Sequence, residues 1–292
     1  MIELSEQQIE QHVATIAQQG YSIIENAIDE DFRAEIMAEL ERLESVRPGG
    51  DIAPGPFTGF VTRRWFDLLN DGEVWQRVAI HPAVIKVLGG VLGENFLLST
   101  MGSAVVGAGE DAQMLHVDDG VYQFPRPHPN LVCNTMWALS DFAEENGATV
   151  VVPSSNNFDR DPPMQPGKTN EYETKQLVMP AGSIAFVVGT TYHGAGANKS
   201  NDTRWALTIN YCNGSMRQQE NLMLGIRPER MLSFPSALQD ILGFKICKGA
   251  GHIFAGDPRE ELAQRYANSE FDDEYLQQRN ALHRRDPESP TA

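Results

Sequence analysis

The spacing of apolar residues along the chain changes from helical in the first 92 residues to strand-like after residue 95. In the first part, apolar positions recur every three or four residues, which predicts amphipathic helices. A short strand over 20–25 and a Gly- and Pro-rich loop over 47–57 interrupt this pattern. The predicted helices cover residues 5–19, 29–46, 63–70 and 74–92.

Runs of β-branched and apolar residues, broken by Gly, Pro and Asn, dominate the second part. Successive strands without helices between them favour an antiparallel sandwich or barrel over a βαβ fold. The predicted strands cover 95–107, 131–140, 148–152, 176–188 and 203–211.

After residue 215 the pattern becomes helical again. The best helical segments are Met216–Leu224 and Pro235–Gly243, and the polar, charged tail past about residue 268 predicts a loose segment. No internal repeat or low-complexity linker divides the chain. We therefore expect one domain over residues 1–292, mainly β with helical flanks, whose β core spans about 95–215.

Composition narrows the class of protein. The 292 residues are 41% hydrophobic, as in globular domains, and carry a net charge of −17. That acidity argues against nonspecific binding to nucleic acid or anionic membranes. No apolar run approaches the roughly 18 residues of a membrane span, and the acidic start lacks the features of a signal peptide. With three widely spaced cysteines, the sequence predicts a cytoplasmic protein without membrane insertion, and leaves a homodimer open.

The strongest chemical signal is the pair His116-Val-Asp118 together with His193. Residues two apart on a strand project from the same face, so His116 and Asp118 can bind one ion. Two imidazoles and a carboxylate are typical ligands of Fe(II) and leave coordination positions open for chemistry. An HxD pair alone is common by chance, but His193 follows an apolar strand that can bring it to the same edge.

Arg204 lies eleven residues after His193, at the start of another apolar strand. An arginine that leads into a buried strand needs an anionic partner, because its charge cannot be neutralised. One partner is the carboxylate of a small oxo-acid, which a guanidinium can bind bidentately. The alternative is a structural ion pair with one of the many carboxylates of the chain, and the sequence leaves both open.

The remaining histidines of interest, His81, His128, His252 and His283, fit solvated positions better than ligand positions. Asp119 adjoins Asp118 but points the opposite way on an extended chain. We expect it to support a ligand imidazole or a turn.

These residues carry a resemblance. His116-x-Asp118, His193 and Arg204, with the run from Glu145-Asn-Gly to Pro153-Ser-Ser between them, resemble the phytanoyl-CoA dioxygenase family of Fe(II)/2-oxoglutarate oxygenases. The resemblance runs from about residue 15 to about 250 and is closer to the branch that modifies natural products. The family's Pro-Gly-Ser-His-like motif reads Pro-Ser-Ser-Asn here, a departure that affects the turn and not the ligands.

The resemblance implies a double-stranded β-helix, a cupin-like jelly roll with iron at its open end. It makes His116, Asp118 and His193 the iron ligands and catalytic centre, and Arg204 the partner of the distal carboxylate of 2-oxoglutarate. The implied chemistry consumes O2 and releases succinate and CO2 while it oxidises a carbon of the substrate by hydroxylation, desaturation or rearrangement. Asp118 also excludes iron halogenation on family grounds.

Three further residues are implied with alternatives beside them. Gln113 precedes the first ligand by three residues and falls near the cosubstrate or the substrate, although it could instead satisfy a loop backbone. Asn134 and Met136 share a strand face where family members contact 2-oxoglutarate, with the register between them left open. Met136 could equally be core packing.

The substrate is expected to be a lipophilic small molecule. Apolar side chains in Phe57–Trp65, Val121–Phe124 and Met216–Leu224 suit such a ligand, although each could simply pack helices on the barrel. No basic cluster predicts a coenzyme A pocket. Two other functions stay open: a cupin-like metalloenzyme that does not use 2-oxoglutarate, disfavoured by Arg204, and an inactive binding homologue, disfavoured by the intact ligand set.

Overall fold

A five-stranded antiparallel sheet forms the wall on which the rest of the chain is assembled. The computed structural model describes residues 2–162, 172–247, 249–254 and 256–267. The strands are β1 (Tyr21–Ile24), β2 (Thr62–Arg63), β3 (Phe96–Ser103), β4 (Val105–Val106), β5 (Val132–Ala138), β6 (Val150–Val151), β7 (Lys175–Gln176), β8 (Ile184–Val188), β9 (His193–Gly194) and β10 (Ala206–Asn213). The large sheet has the order β1-β8-β5-β10-β3, and the smaller ones are β7-β6-β9 and β2-β4. This confirms the mainly β jelly-roll class with helical flanks.

Helices cover one side of the large sheet and continue after its last strand. They are α1 (Glu6–Gln19), α2 (Glu30–Val46), α3 (Leu68–Asp71), α4 (Val74–Ala79), α5 (Pro82–Leu92), α6 (Leu222–Gly225), α7 (Pro228–Ser233), α8 (Ser236–Gln239) and α9 (Pro258–Ala267), with a π-helical turn at Asp240–Phe244. No helix in the described ranges is long and apolar enough to cross a membrane.

The two faces of the large sheet serve different purposes, and β10 shows how the sequence separates them. Leu207, Ile209 and Tyr211 are buried in the main hydrophobic core, which they share with the helices. The alternate residues Ala206 and Thr208 line a cavity on the other face. Because side chains alternate along a strand, one apolar run supplies both the core and the cavity wall.

The first two helices begin at strong caps. The Ser5 hydroxyl and the Gln8 side chain form a reciprocal capping box at the start of α1. The Asp29 carboxylate accepts a hydrogen bond from the Phe32 amide at the start of α2. Both helices match the predicted ranges within two residues.

Two of the predicted helices are wrong in part. Within 63–70 only the last residues form α3, because the Trp65 amide donates to the Ser103 hydroxyl and the preceding residues pair with β4. The segment 74–92 divides into α4 and α5 at His81-Pro82. Proline lacks an amide hydrogen and disfavours helical backbone at the residue before it, so His81 is extended.

The regions around the late strands also differ from the prediction. The segment 176–188 divides into β7 and β8, and Met216–Leu224 is helical only at α6. Before α6 the chain instead hydrogen-bonds to β3, with the amides of Gln219 and Glu220 donating to Ser99. The helix α7 was not predicted, and the tail past residue 268 lies outside the described residues.

His81 is completely buried rather than solvated. Its ring stacks on Phe32 at 6.4 Å and meets Trp137 edge-on at 5.3 Å. Neither ring nitrogen has a hydrogen-bond partner among the described residues. Burial therefore lowers the pKa of His81 to about 4, since a charged imidazole there would lose its solvation.

This burial predicts an acid-sensitive contribution to stability. The unfolded chain takes up the His81 proton near pH 6.5, whereas the folded protein resists protonation until about pH 4. The contribution is full above pH 6.5 and is lost as the pH falls towards 4, by at most about 3 kcal/mol. In urea unfolding measured from pH 7 to pH 4.5, His81→Leu should lose less stability than the wild type. The exposed His252→Leu is the control, and an unchanged pH dependence in His81→Leu would contradict the prediction.

Candidate active site

His116 and His193 face each other across an antiparallel pair of extended segments. The amide of each donates to the carbonyl of the other, at 2.9 and 3.0 Å. Directly opposite residues of an antiparallel pair project to the same side, so the two imidazoles meet with ring centroids 4.4 Å apart. β9, which carries His193, also pairs with β6 through Val151.

Asp118 completes the group two residues after His116. Its Oδ1 lies 3.5 Å from His116 Nε2 and 3.6 Å from His193 Nε2. One ligand atom from each of the three residues lies within 4.8 Å of the others. The Asp118 amide donates to the Gly189 carbonyl at 2.9 Å, which holds this segment against the turn that precedes β9.

Backbone carbonyls orient both imidazoles. His116 Nδ1 lies 3.1 Å from the Met114 carbonyl oxygen, and His193 Nδ1 lies 2.9 Å from that of Thr191. A carbonyl accepts only, so the proton is on Nδ1 of each ring and Nε2 is free to bind a metal. Burial lowers the pKa of His193, against the opposing effect of Asp118, and favours the neutral form that a ligand requires.

Asp118 is held as a carboxylate. Burial alone would raise its pKa, but the adjacent imidazoles of His193 and His116 hold that pKa well below its ordinary value. The Asn134 amide adds to this effect by donating to Asp118 Oδ2 at 3.1 Å. Two neutral imidazoles and one carboxylate, each oriented by a hydrogen bond, fit a divalent iron ion at this position.

The three residues form part of the wall of a cavity of about 440 Å³. This volume is within the range of small-molecule sites, about 300–1,000 Å³. The cavity lies between the inner face of the large sheet and the segments that carry the ligands. Its other lining residues include Ile52, Phe57, Thr58, Arg64, Phe66, Thr100, Gln113, Val121, Asn134, Met136, Phe142, Thr149, Arg204, Thr208, Asn210 and Gln219.

Arg204 is buried, with 3% of its surface exposed, and it faces this cavity. It donates to the Gly147 carbonyl and its guanidinium lies 4.5 Å from the centroid of the Phe142 ring. Gly147 has a φ of 82°, and a Cβ there would lie 2.6 Å from the Gly196 carbonyl, so the Asn146-Gly147 turn needs glycine at this position.

No carboxylate of the described chain lies within 4.0 Å of Arg204, and its Nε has no hydrogen-bond partner there. The structural ion pair considered from the sequence is therefore not formed with any carboxylate that the structure describes. Burial, and after it the nearby charge of Arg64, lowers the pKa of Arg204 to about 10. A guanidinium in this state is stabilised by an anion that enters the cavity.

Arg64 is a second cavity arginine that the sequence analysis did not single out. It follows β2, and its Nε donates to the Thr58 carbonyl at 3.3 Å. Burial lowers its pKa, whereas Glu110 and Asp118 act in the opposite direction. Its neighbour Arg63 instead pairs with Glu44 at 3.1 Å. The alternation of side chains along β2 decides which of the two arginines faces the cavity. The sequence predicted a helix over 63–70, and a helical pattern does not show that alternation.

The structure places Gln113 between the cavity and a covering loop. Its Nε2 donates to the Phe57 carbonyl at 2.9 Å, and its Oε1 accepts from the Ala195 amide at 3.2 Å. The Phe57 ring then meets the His116 ring edge-on at 4.9 Å. Gln113 therefore ties the loop to the ligand-bearing segments while it also lines the cavity.

The same loop is fixed at its other side by Glu110, which is 5% exposed. Its carboxylate accepts from the amides of Phe60 and Val61, at 3.0 and 2.7 Å, and from the Thr62 hydroxyl at 2.8 Å. Burial would raise the pKa of Glu110, but these hydrogen bonds lower it overall. The apolar loop over the ligands is thus held by polar contacts at both ends.

Met136 lines the cavity beside Asn134 on the same face of β5, as expected from strand alternation. The Thr149 hydroxyl lies 3.3 Å from the Met136 sulfur. Asn134 and Met136 therefore line the cavity and also contact neighbouring side chains, Asp118 and Thr149 respectively.

Asp119 does not contact a ligand imidazole. Its carboxylate lies 3.7 Å from His128 Nε2, and burial, ahead of the opposing effect of His128, raises its pKa to about 6. The His128 side chain is only 10% exposed, so it is not solvated as predicted. His252 is exposed in a turn and far from the group, whereas His283 lies outside the described residues.

Comparison with known proteins agrees with this geometry. The family model described as Phytanoyl-CoA dioxygenase (PhyH) matches residues 16–206, which include every residue of the ligand group and Arg204. The chain belongs to the phytanoyl-CoA dioxygenase family. Membership makes the protein a non-haem iron dioxygenase that uses 2-oxoglutarate and O2, with the cupin-like fold described above.

Several similar proteins are fungal dioxygenases. Dioxygenase swnH2 of Arthroderma benhamiae is 26% identical over 283 residues, which cover 88% of both chains. Dioxygenase FUM3 of Gibberella moniliformis is 26% identical over 222 residues, 70% of this chain and 71% of the relative.

Solved structures show the same fold. The epimerase SnoN from nogalamycin biosynthesis, in complex with Fe3+, alpha ketoglutarate and nogalamycin RO, superposes with a TM-score of 0.60 at 23% identity, over 72% of this chain and 85% of SnoN. HygX from Streptomyces hygroscopicus, with nickel and 2-oxoglutarate bound, gives a TM-score of 0.59 at 16% identity, over 74% and 90% of the chains.

The hydrogen bond from Asn134 predicts a measurable effect on metal binding. Asn134→Ala removes the donor that holds Asp118, so the Kd for Fe(II) should rise about 10- to 100-fold. Anaerobic competition with a chromogenic chelator measures this change, and Co(II) absorption gives an oxygen-insensitive check. Asn201→Ala, at an exposed turn, is the matched control. Wild-type affinity in Asn134→Ala would show that the hydrogen bond does not support the ligand.

Proposed function

We propose that this enzyme oxidises a carbon of a lipophilic small-molecule metabolite, with His116, Asp118 and His193 as iron ligands and Arg204 as the partner of 2-oxoglutarate. The observation that carries the proposal is Arg204 itself. It is a buried guanidinium without a carboxylate partner in the described chain, and it lies in the same cavity as the ligand group.

The two arginines match the charge of the cosubstrate. 2-Oxoglutarate carries one carboxylate at each end, and both Arg204 and Arg64 line the cavity, with Arg64 close enough to Asp118 for that carboxylate to affect its pKa. Neither guanidinium has a hydrogen bond to a described carboxylate that would compete for it. We assign Arg204 to the distal carboxylate, and Arg64 to the counter-charge on the metal side. Binding would relieve the repulsion between the two cations that contributes to the low pKa of Arg204.

The wall between these arginines suits the carbon chain of the cosubstrate. Met136 and Phe142 supply apolar surface, and Thr149 supplies a hydroxyl beside them. Bound iron, with 2-oxoglutarate and O2, supplies the oxidising power that removes hydrogen from an unactivated carbon. The residues of the chain orient both reactants and exclude water.

The outer part of the cavity supports a lipophilic substrate. Ile52, Phe57, Phe66 and Val121 line it, and Phe57 and Val121 expose 45% and 66% of their surfaces. Exposed apolar side chains at the mouth of a cavity are typical of a ligand-binding surface. Among the described residues no lysine lines the cavity, which favours a free metabolite over a coenzyme A thioester. Hydroxylation, desaturation and rearrangement are all compatible outcomes.

The relatives extend this proposal in one respect. Two solved structures of this fold are an epimerase from nogalamycin biosynthesis and HygX with hygromycin B bound, so the fold accommodates natural products of quite different chemistry. We infer a role in secondary metabolism for this chain. Its cytoplasmic location and its single-domain extent stay predictions, and a homodimer stays open.

Turnover of the cosubstrate tests the proposed function. Under air, with Fe(II) and ascorbate, the wild type should convert 2-oxoglutarate to succinate, and His116→Ala should not. Succinate is quantified by mass spectrometry, and the anaerobic absorption band of the Fe(II)/2-oxoglutarate complex reports the site without a substrate. His252→Ala is the control. Absence of the band in metal-loaded wild type, or turnover in His116→Ala, would contradict the assignment.

Arg204 should control the requirement for 2-oxoglutarate. Arg204→Gln removes a charge-assisted hydrogen bond worth about 1.5–3 kcal/mol, so the KM for 2-oxoglutarate should rise roughly 10- to 100-fold. The exposed Arg42→Gln, which loses surface contacts with Glu39 and with the Asp71 carbonyl, should leave the KM unchanged. An unchanged KM in Arg204→Gln would show that Arg204 does not bind the carboxylate of 2-oxoglutarate, and Arg64 would be the next residue to test.

A further inference from the structure

A row of polar side chains crosses the inner face of the large sheet, starting at the metal ligands. Asn134 donates to Asp118 at 3.1 Å, and Asn134 of β5 is the register partner of Asn210 on β10. Asn210 is in turn the partner of Thr100 on β3. All three side chains line the cavity. Since adjacent strands lie about 4.8 Å apart, the row extends across the cavity and away from the iron position.

The row continues into Glu220 through a β-bulge. The register between β10 and β3 shifts after Asn210, next to Ser99. The Ser99 hydroxyl and carbonyl accept from the amides of Gln219 and Glu220, at 3.0 and 2.9 Å. This docks the segment after β10 on β3, where Thr100 Oγ1 lies 3.3 Å from Glu220 Oε2. Bulges are frequent beside active sites because they redirect neighbouring groups.

Two acceptor oxygens of the row have no hydrogen-bond donor among the described residues. The side-chain oxygens of Asn134 and Asn210 are both buried and have no hydrogen-bond partner among the described residues. Asn134 is 5% exposed, and its amide nitrogen is already used by Asp118, which fixes its oxygen as an acceptor. A buried acceptor without a partner costs about 1–3 kcal/mol, which a donor on a bound ligand would offset.

The outer end of the row is acidic, because the carboxyl groups of Glu220 and Asp67 lie near each other there. Glu220 has no arginine, lysine or histidine within 4.0 Å in the described part of the chain. Its charged neighbour is another carboxylate, Asp67. Burial, followed by this repulsion, raises the pKa of Glu220 to about 7. A ligand cation beside Glu220 would therefore be favoured, and a ligand anion would be repelled.

We propose that the row Asn134–Asn210–Thr100–Glu220 binds the polar edge of the substrate, and that the substrate carries a protonated amine at the Glu220 end. This rests on the proposed function, which places the reacting carbon beside His116, Asp118 and His193. The hydrocarbon body of the substrate lies against Phe66 and Val121, and its amine donates to the carboxylate. The substrate class is thus an amphipathic amine rather than a purely lipophilic or acidic molecule.

Three probes that differ only in their polar group test the proposal: 1-aminooctane, 1-octanol and octanoate. Each is titrated anaerobically into the full chain loaded with Fe(II) and 2-oxoglutarate, and perturbation of the absorption band gives its Kd. The amine should bind at least tenfold more tightly than the alcohol, and octanoate should bind most weakly. Equal binding of amine and alcohol by the wild type, or no binding of the amine, would overturn the proposal.

Variants assign the preference to Glu220. Glu220→Gln keeps the size and an acceptor but removes the charge, so the preference for the amine should fall to twofold or less. Glu220→Asp should keep an intermediate preference. The exposed Glu94→Gln, with the same chemical change, should match the wild type. A full amine preference in Glu220→Gln would exclude this residue as the binding site.

A second measurement separates this proposal from the proposed function. Thermal melting of the metal-free chain with 2-oxoglutarate, with each probe added, reports binding without iron chemistry. If 1-aminooctane stabilises the wild type more than the other two probes do, and this difference is lost in Glu220→Gln, the result supports binding of the amine at the row. That conclusion holds even where the absorption band of the iron complex does not form. A band that forms normally, with no amine preference in either measurement, overturns the row and leaves the proposed function standing.

Discussion

Two backbone hydrogen bonds between His116 and His193 fix the geometry on which the active site depends. They make the two histidines direct neighbours across an antiparallel pair, and the strand period then places Asp118 on the same side. A slip of one residue would turn these side chains to the opposite face. The iron site is therefore a property of strand register as much as of ligand identity. The β6–β9 pairing and the Asp118–Gly189 contact hold that register on either side.

The cavity contains two arginines although the protein as a whole is strongly acidic. The chain has a net charge of −17, yet Arg64 and Arg204 bring two cations to the cavity, neither with a hydrogen bond to a described carboxylate. Burying an uncompensated cation reduces the stability of the folded state. A ligand that binds only the folded protein restores that stability in proportion to its occupancy. The cosubstrate therefore acts on the stability of the fold as well as on the chemistry, and the two arginines couple these effects.

Local patterns in the sequence were sufficient to predict that His116, Asp118 and His193 come together, and to predict most strands. His116-x-Asp118 depends on a period of two, and Arg204 was identified because a charge preceded an apolar strand. The single helix expected over 74–92 is instead two helices, divided at Pro82. Proline lacks an amide hydrogen and restricts the residue before it, and this local effect outweighs the periodic apolar pattern. Arg64 and Glu220 could not be assigned, because their places depend on the β2–β4 pairing and on a bulge in β3. Such long-range register leaves no periodic signal in a single sequence.

The inner face of β10 explains how one cavity could hold two ligands without competition between them. Its cavity residues Ala206, Thr208 and Asn210 follow Arg204 along the chain, and the neighbouring row ends at Glu220 beside β3. Asn210 is six positions after Arg204, about 20 Å at the usual rise of an extended chain. In the proposed complex, the arginine end attracts the dianionic cosubstrate and repels an amine, whereas the carboxylate end does the reverse. The order of charges from Arg204 to Glu220 thus directs the two reactants to opposite ends.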